Sequence, residues 1–510
     1  KYDEIFNAGT STGGAGGAAV ADGKRLATFF WLLAFRQTTD PDEKKKAPAI
    51  IIKEAADWIR DYPTYLKTPE GYGIRFLLAE TLVEQADAAK DKGLKGAYLA
   101  RARRLLREVE QTENDYTDRA RNKKVEVMYR QGAFSKKVAE LTTFEHCYVR
   151  AQYEIIQMGK EARDSKKTPE EIEKARKAHV GTLIEALEQG LKKPDARGPA
   201  SPELNNARAM LAFYHMNAGQ EAVAEYKQAL DKFNKAKDEN PDAAARYKKE
   251  AAALRKEGLN HYREAIRVGE TFARNDPRSS QAATAAVYAL QSDVFLLTEL
   301  EGLEDVQDER EHMLALARYM EERWPAELAG NLARHQIGLR LIREGKLPDA
   351  ILKLGAITPS YPSYAFAQYQ LAEAAFKAEG DKVEPIPGDK DGDYHRRGLE
   401  ALERIPDTTL GEDPSTNHIF LVAKARLGRE LYKSRKYQEM EKLAAGLLQK
   451  LPSARLNADP TRDKAIREQV KYELTSVSLY AQYGLAEAQF GKANYVEVAQ
   501  QLEPMVKKIL

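Results

Sequence analysis

Residues 331–364 read NLARHQIGLRLIREGKLPDAILKLGAITPSYPSY. Gly345 divides the stretch into two helical halves, and Pro362 stops the second. Small residues are expected where two helices cross, because only Gly or Ala lets the backbones approach; Gly338 and Ala350 fill those places. Leu341 and Leu354 fill the remaining seam. A lone hairpin of this kind cannot bury its apolar face, so neighbours must stack on it.

The pattern recurs. Segments closing on an aromatic or apolar residue plus proline include Trp58 to Pro63, Tyr319 to Pro325, Thr358 to Pro362 and Leu448 to Pro452, with Pro277 and Pro406 in similar places. Pro277, Pro325, Pro362, Pro406 and Pro452 fall 48, 37, 44 and 46 residues apart, one helix hairpin plus a variable loop. The stretch 421–454 repeats the quoted one through Leu427-Gly428, Tyr437 and Pro452. The stretch 205–238 offers Leu211-Ala212, Gly219 and Ala224, and 246–279 offers Ala253, Tyr262, Ala265 and Pro277. Partial copies follow at 365–380 (Leu371-Ala372) and 479–510 (Leu485-Ala486).

In these positions the chain resembles the tetratricopeptide repeat family. Departures are Met440 and Val498 in place of the usual Ala, and insertions near 300–308 and 381–393. The resemblance implies an all-α superhelical solenoid of antiparallel helix hairpins, without significant sheet. Tyr361-Pro362 running into Tyr364 through Ala372 is similar to repeats of bacterial envelope assembly proteins, so a bacterial cell envelope or periplasmic location is expected ahead of the cytoplasm.

Composition agrees. Of 510 residues, 43% are hydrophobic and 31% charged, enough for a large core and too ordered for wholesale disorder. Lys and Arg number 80 against 78 Asp and Glu, so a net charge of +2 gives no global field for nucleic acid or acidic membrane. Cys147 stands alone, which excludes an internal disulfide and any Cys-rich metal site. It is expected to be a buried small hydrophobe. The apolar run Phe29 to Phe35 is far short of the roughly 20 residues a bilayer crossing needs.

Residues 1–23, with Thr10-Ser11-Thr12-Gly13-Gly14 at their centre, read as a flexible tail or linker. Degenerate helical hairpins are expected over 24–200, and the better-matched solenoid over 201–510, with a polar insertion at 381–393. Asp40-Pro41-Asp42-Glu43 and Thr168-Pro169-Glu170-Glu171 each place an N-cap, a proline at N1 and an acid at N3. Ser201-Pro202 and Asp459-Pro460 mark further helix starts. In the last copy position 32 falls on Leu510, so the array is expected to continue beyond that residue or to be capped by a partner.

Motifs of chemistry fail on context. Gly9-Thr10-Ser11-Thr12-Gly13 imitates a nucleophile elbow, and Gly14-Ala15-Gly16-Gly17-Ala18-Ala19 a dinucleotide loop, yet neither has the strand it needs. Asp389, Asp391, Asp393 and Glu400 stand at positions 1, 3, 5 and 12 of a calcium-type loop. The sixth position is Tyr394 rather than Gly, which favours a solvated polar insertion. The eight histidines pair with no second His or Cys at helical spacing. Arg101 to Arg107 is the densest basic run, but Glu108, Glu110, Glu113, Asp115 and Asp118 interleave with its continuation, as on a salt-bridged solvent face.

No catalytic residue, metal or cofactor is therefore expected. What the resemblance implies is a protein-binding groove along the first helices of the hairpins. There it places Phe366, Tyr369 and Phe376, then Arg426, Arg429 and Tyr432, then Tyr480, Tyr483 and Phe490. Packing between repeats is the other reading of the same side chains. His335, Leu339, Ala425 and Arg429 fill the positions where some relatives carry a carboxylate clamp. The function expected is a non-catalytic scaffold or assembly subunit that holds other proteins, with no nucleic acid partner and no membrane insertion. Alternatives are a structural subunit of a large polymer, or the helical region of a larger enzyme.

Overall fold

A computed structural model describes residues 15–130, 137–197, 201–303, 305–386, 393–406, 413–457, 459–492, 494, 496–500 and 502–503. Among them there is no strand. The chain is all-α among the described residues, and most helices pack chiefly on a neighbour in sequence, as stacked hairpins require. No helix of the described residues is long and apolar enough to cross a membrane.

The first of two units, Lys1–Ala218, holds α1 (Ala15–Arg36), α2 (Pro41–Asp61), α3 (Pro69–Ala88), α4 (Lys92–Glu110), α5 (Thr117–Met128), α6 (Phe144–Glu161) and α7 (Pro169–Leu191). The start of α8 (Pro202–Ala236) also belongs to it. Helix starts follow the local chemistry. Asp40 accepts from the backbone N–H of Asp42 and Glu43, and Thr168 and Glu171 complete a capping box. The core of this unit centres on Trp58, Leu32, Ile74, Leu78, Leu82 and Leu106. Gly71, third in α3, lies against the turn before it: a Cβ there would stand 2.2 Å from the Tyr65 carbonyl oxygen. Cys147 is fully buried, and burial pushes its thiol up.

One expectation is corrected here. Helix α1 begins at Ala15, inside the stretch read as tail, because Ala18, Ala19, Ala21 and the apolar residues after them sustain helix across Gly16 and Gly17. Residues 1–14 lie outside the described residues, and with them the whole Gly9–Gly13 motif. The boundary between the two units falls at Ala218 and Gly219, within α8. Ser201-Pro202 starts α8, where the Leu204 N–H bonds to the Ser201 hydroxyl.

The second unit, Gly219–Leu510, continues with α9 (Pro241–Asn275), α10 (Ala282–Leu300), α11 (Gln307–Arg323), α12 (Leu328–Arg343), α13 (Leu347–Gly355), α14 (Tyr364–Gly380), α15 (Tyr394–Glu403), α16 (Pro414–Lys433), α17 (Tyr437–Lys450) and α18 (Pro460–Phe490). One continuous core runs from Ala273 to Leu474.

Repetition is visible in the helix ends. Helices α12, α14 and α16 close on residues with φ of 72°, 54° and 58°, namely Gly345, Lys382 and Arg435. Each closure makes the same pair of backbone bonds: Gly345 to Ile342 and Lys346 to Leu341, Lys382 to Glu379 and Val383 to Ala378, Arg435 to Tyr432 and Lys436 to Leu431. These are Schellman turns. Before Pro63, Pro277 and Pro325 the capping residues Tyr62, Asp276 and Trp324 share φ near −130° and ψ near 55°, each bonding back to the carbonyl four residues earlier. The hairpin α12/α13 keeps the crossing read from sequence, with Gly338 against Leu354. Gly428 instead faces Val477 of α18.

The stretches 205–238 and 246–279 are corrected from two hairpins to one. Each lies almost wholly within a single 35-residue helix, α8 or α9. Gly219 makes no turn. It is the crossing point itself, where a Cβ would stand 2.6 Å from the Tyr262 ring and 3.2 Å from the Gly258 carbonyl.

Arg435 supplies a test of the turn geometry. It adopts the left-handed conformation that glycine adopts freely at the matching Gly345. Arg435→Gly is expected to stabilise the second unit by about 0.5–1 kcal/mol, and Gly345→Ala to destabilise it by about 1 kcal/mol. Urea unfolding followed by circular dichroism measures both; a loss of stability in Arg435→Gly contradicts the assignment.

Candidate functional site

The expected groove residues separate into three groups. Phe376 is buried at 8% exposure and packs into the space left by Gly398, with the Arg426 guanidinium 4.8 Å above its ring. It offers no surface to a partner, which corrects its place in the groove. Phe366 and Tyr369 are half-buried; Phe366 meets His335 edge-on at 5.6 Å, and burial raises the Tyr369 phenol. Arg426 pairs with Glu373 at 3.0 Å and Glu430 at 3.3 Å, and Arg429 with Glu473 at 3.3 Å. Those cations are committed within the unit.

The third group is open to solvent. Tyr480, Tyr483 and Phe490 on α18 are 58%, 48% and 58% exposed, joined by Tyr472 at 75%. At 100° and 1.5 Å per residue these four occupy about 80° of the helix circumference over about 27 Å. Half-buried Tyr432 supports the stripe, its ring 5.7 Å from Tyr480 and 5.5 Å from Tyr437. A Cβ at Gly484 would lie 2.4 Å from the Tyr437 ring, so a side chain too small to intrude is what lets α17 and α18 approach. Tyr472 was missed in sequence because it lies outside the 479–510 frame; its spacing of eight from Tyr480 was the available signal.

Of the calcium-type loop, Asp389 and Asp391 lie outside the described residues. Asp393 caps α15 by accepting from the Arg396 N–H, and Glu400 pairs with Arg396 and Arg404. Among the described residues no three His, Cys, Asp or Glu side chains are grouped to hold a metal ion. The basic run of α4 pairs as expected of a salt-bridged face, Arg103 with Glu145 and Arg104 with Glu108.

A titratable cluster that spacing did not reveal lies in a cleft of about 550 Å³ bounded by α9, α10 and α11. His312 donates from Nδ1 to Asp293 at 3.1 Å and from Nε2 to Glu270 at 2.7 Å, and Glu270 also receives Arg274 at 2.7 Å. The bonds to Asp293 and then Glu270 raise the imidazole to about 10, while burial pushes the Asp293 carboxyl up. With both ring nitrogens donating, His312 is an imidazolium at neutral pH and has no lone pair for base catalysis. It ties three helices together. Residues 19 and 42 positions apart on separate helices leave no local motif.

Because this pKa is raised above the unfolded value of about 6.5, the stabilisation is complete below that pH and is lost as pH rises through about 10. The ring is 42% exposed, so solvent screening leaves about 1–2 kcal/mol. The difference in unfolding free energy between wild type and His312→Asn is expected to shrink by that amount between pH 6.5 and 10.5. A difference that stays constant across the range overturns the assignment.

No protein-family model and no curated protein matches this chain. Among solved structures it is similar to a circular tandem repeat protein with novel repeat topology (14% identity, 93% of this chain and 89% of that one, TM-score 0.22). It is likewise similar to the APC/C hetero-tetramer Cut9–Hcn1 (12%, 95% and 91%, TM-score 0.24) and to a monomeric IFIT1 mutant with m7Gppp-AAAA (14%, 88% and 97%, TM-score 0.24). Likenesses at this level carry no argument about function. The repeat character rests on the matched Schellman turns, pre-proline caps and stacked hairpins.

Proposed function

We propose that this helical-repeat chain is a protein-binding scaffold that works without chemistry of its own, as one member of a multi-subunit assembly. The supporting observation is the aromatic stripe Tyr472, Tyr480, Tyr483 and Phe490 on α18. Contiguous exposed aromatic surface is uncommon on a chain that acts alone, and aromatics bring large burial at low entropic cost. Its length suits an amphipathic helix of a partner, docked as the hairpins dock on one another. A bacterial envelope location belongs to the same proposal and is supported only by the resemblance around Tyr361 to Ala372.

The test is affinity capture from an extract of the source organism with the full chain and with a Tyr480→Ser, Tyr483→Ser, Phe490→Ser variant, both shown by circular dichroism to be folded. A defined set of proteins retained by the first and lost by the second is the expected result. Equal retention removes α18 from the interface, and no retention by either removes the scaffold reading.

A further inference from the structure

We infer that the cleft between α8 and α9 is a docking site for an acidic segment of a partner protein that carries an apolar anchor. It is distinct from the α18 stripe and adds partner chemistry to the scaffold reading, on which it rests. The two helices are held closest where Gly219 meets Tyr262 and Gly258 meets Val223. Between that crossing and the connection at residues 237–240 they enclose a cleft of about 450 Å³.

Its lining is one-sided in charge. Lys248, Arg255, Lys256 and Arg263 face it from α9, and no carboxylate lines it among the described residues. That asymmetry stands out in a chain whose charges otherwise nearly cancel. Lys248, Lys256 and Arg263 are exposed and make no ion pair among the described residues, unlike Arg103 and Arg104 of α4. Arg255 is anchored by a 3.2 Å bond from its guanidinium to the Glu299 carbonyl oxygen. Opposite the cations, α8 contributes Tyr226, Leu230 and Phe233, with Leu230 left 37% exposed.

Chemistry and dimensions select the occupant. The cations spread along about 22 Å of α9, within about 100° of its circumference. One small anion engages only one or two of them, whereas a chain with carboxylates every 7–10 Å reaches the three exposed ones, Lys248, Lys256 and Arg263. The apolar wall and the cavity volume suit one or two large side chains between those carboxylates. A uniformly charged polyanion leaves that wall unfilled.

The probe is a fluorescein-labelled 15-residue peptide, three repeats of Asp-Glu-Phe-Glu-Asp, titrated with the full chain and read by anisotropy. Binding is expected to weaken about tenfold in a Lys248→Glu, Lys256→Glu, Arg263→Glu variant, whose changes are all on exposed side chains. It should weaken about fivefold between 50 and 300 mM salt, and about fivefold when each Phe of the peptide is Ser. Lys92→Glu, Arg101→Glu, Arg107→Glu, three exposed reversals on α4, is the charge-matched control and should leave binding unchanged. Equal loss in that control, retention in the triple variant, or a single-stranded 15-mer DNA binding as tightly through the same residues each overturns the inference. The Tyr480/Tyr483/Phe490 variant should bind the peptide normally, so failure of the α18 interface and failure of this cleft are read separately.

Discussion

Replacing Trp58 with Ala is expected to destabilise the first unit by about 3–5 kcal/mol, the cost of removing a large buried aromatic. Trp58 is 2% exposed at the centre of that unit's core, and its indole N–H donates to the Arg25 carbonyl of α1 at 3.1 Å. Removing the ring leaves a cavity between α1 and α2 and strips a hydrogen bond that holds α1 in place. Amide hydrogen exchange measures the loss: protection should fall across residues 24–61 and remain unchanged in α10–α14. A loss under about 1 kcal/mol means that α1 is not packed on α2, and the assignment of residues 24–36 to the core falls with it.

Glu430→Ala is expected to destabilise the second unit by about 2–4 kcal/mol. The Glu430 side chain has no exposure, and Arg426 at 3.3 Å, Lys433 at 2.8 Å and His395 at 3.9 Å surround it. Removing one member of such a cage leaves buried positive charge without its counter-ion, which costs up to about 5 kcal/mol when burial is complete. Arg426 and Lys433 keep 26% and 59% of their exposure, which lowers the figure. Urea unfolding of the full chain followed at 222 nm is the measurement. Arg426→Ala should cost less, because Lys433 still faces the carboxylate. Equal stability of Glu430→Ala and wild type shows that the cage does not hold α14–α16 together.

The same cage explains why the groove was only partly legible. Tetratricopeptide positions assign Phe376 and Arg426 to the groove, and in the structure the two side chains stack on each other. Which of them meets solvent depends on what the next hairpin brings. Gly398 admits the Phe376 ring, and Glu373 and Glu430 take the arginine. On α18 Tyr480, Tyr483 and Phe490 stay exposed among the described residues.

Helix starts at Asp40, Thr168, Ser201 and Asp459, the turn at Gly345, the stops before Pro63, Pro277 and Pro325, and the burial of Cys147 were all determined by sequence alone. The starts, the turn and the stops are local matters of caps, φ preferences and missing N–H groups, decided within about five residues, while the burial of Cys147 was read from its apolar neighbours. Tertiary structure alone decided that Gly219 is a crossing rather than a turn and that His312 meets Asp293 and Glu270. A glycine permits both a turn and a close approach, and only the helix packed against it selects between them.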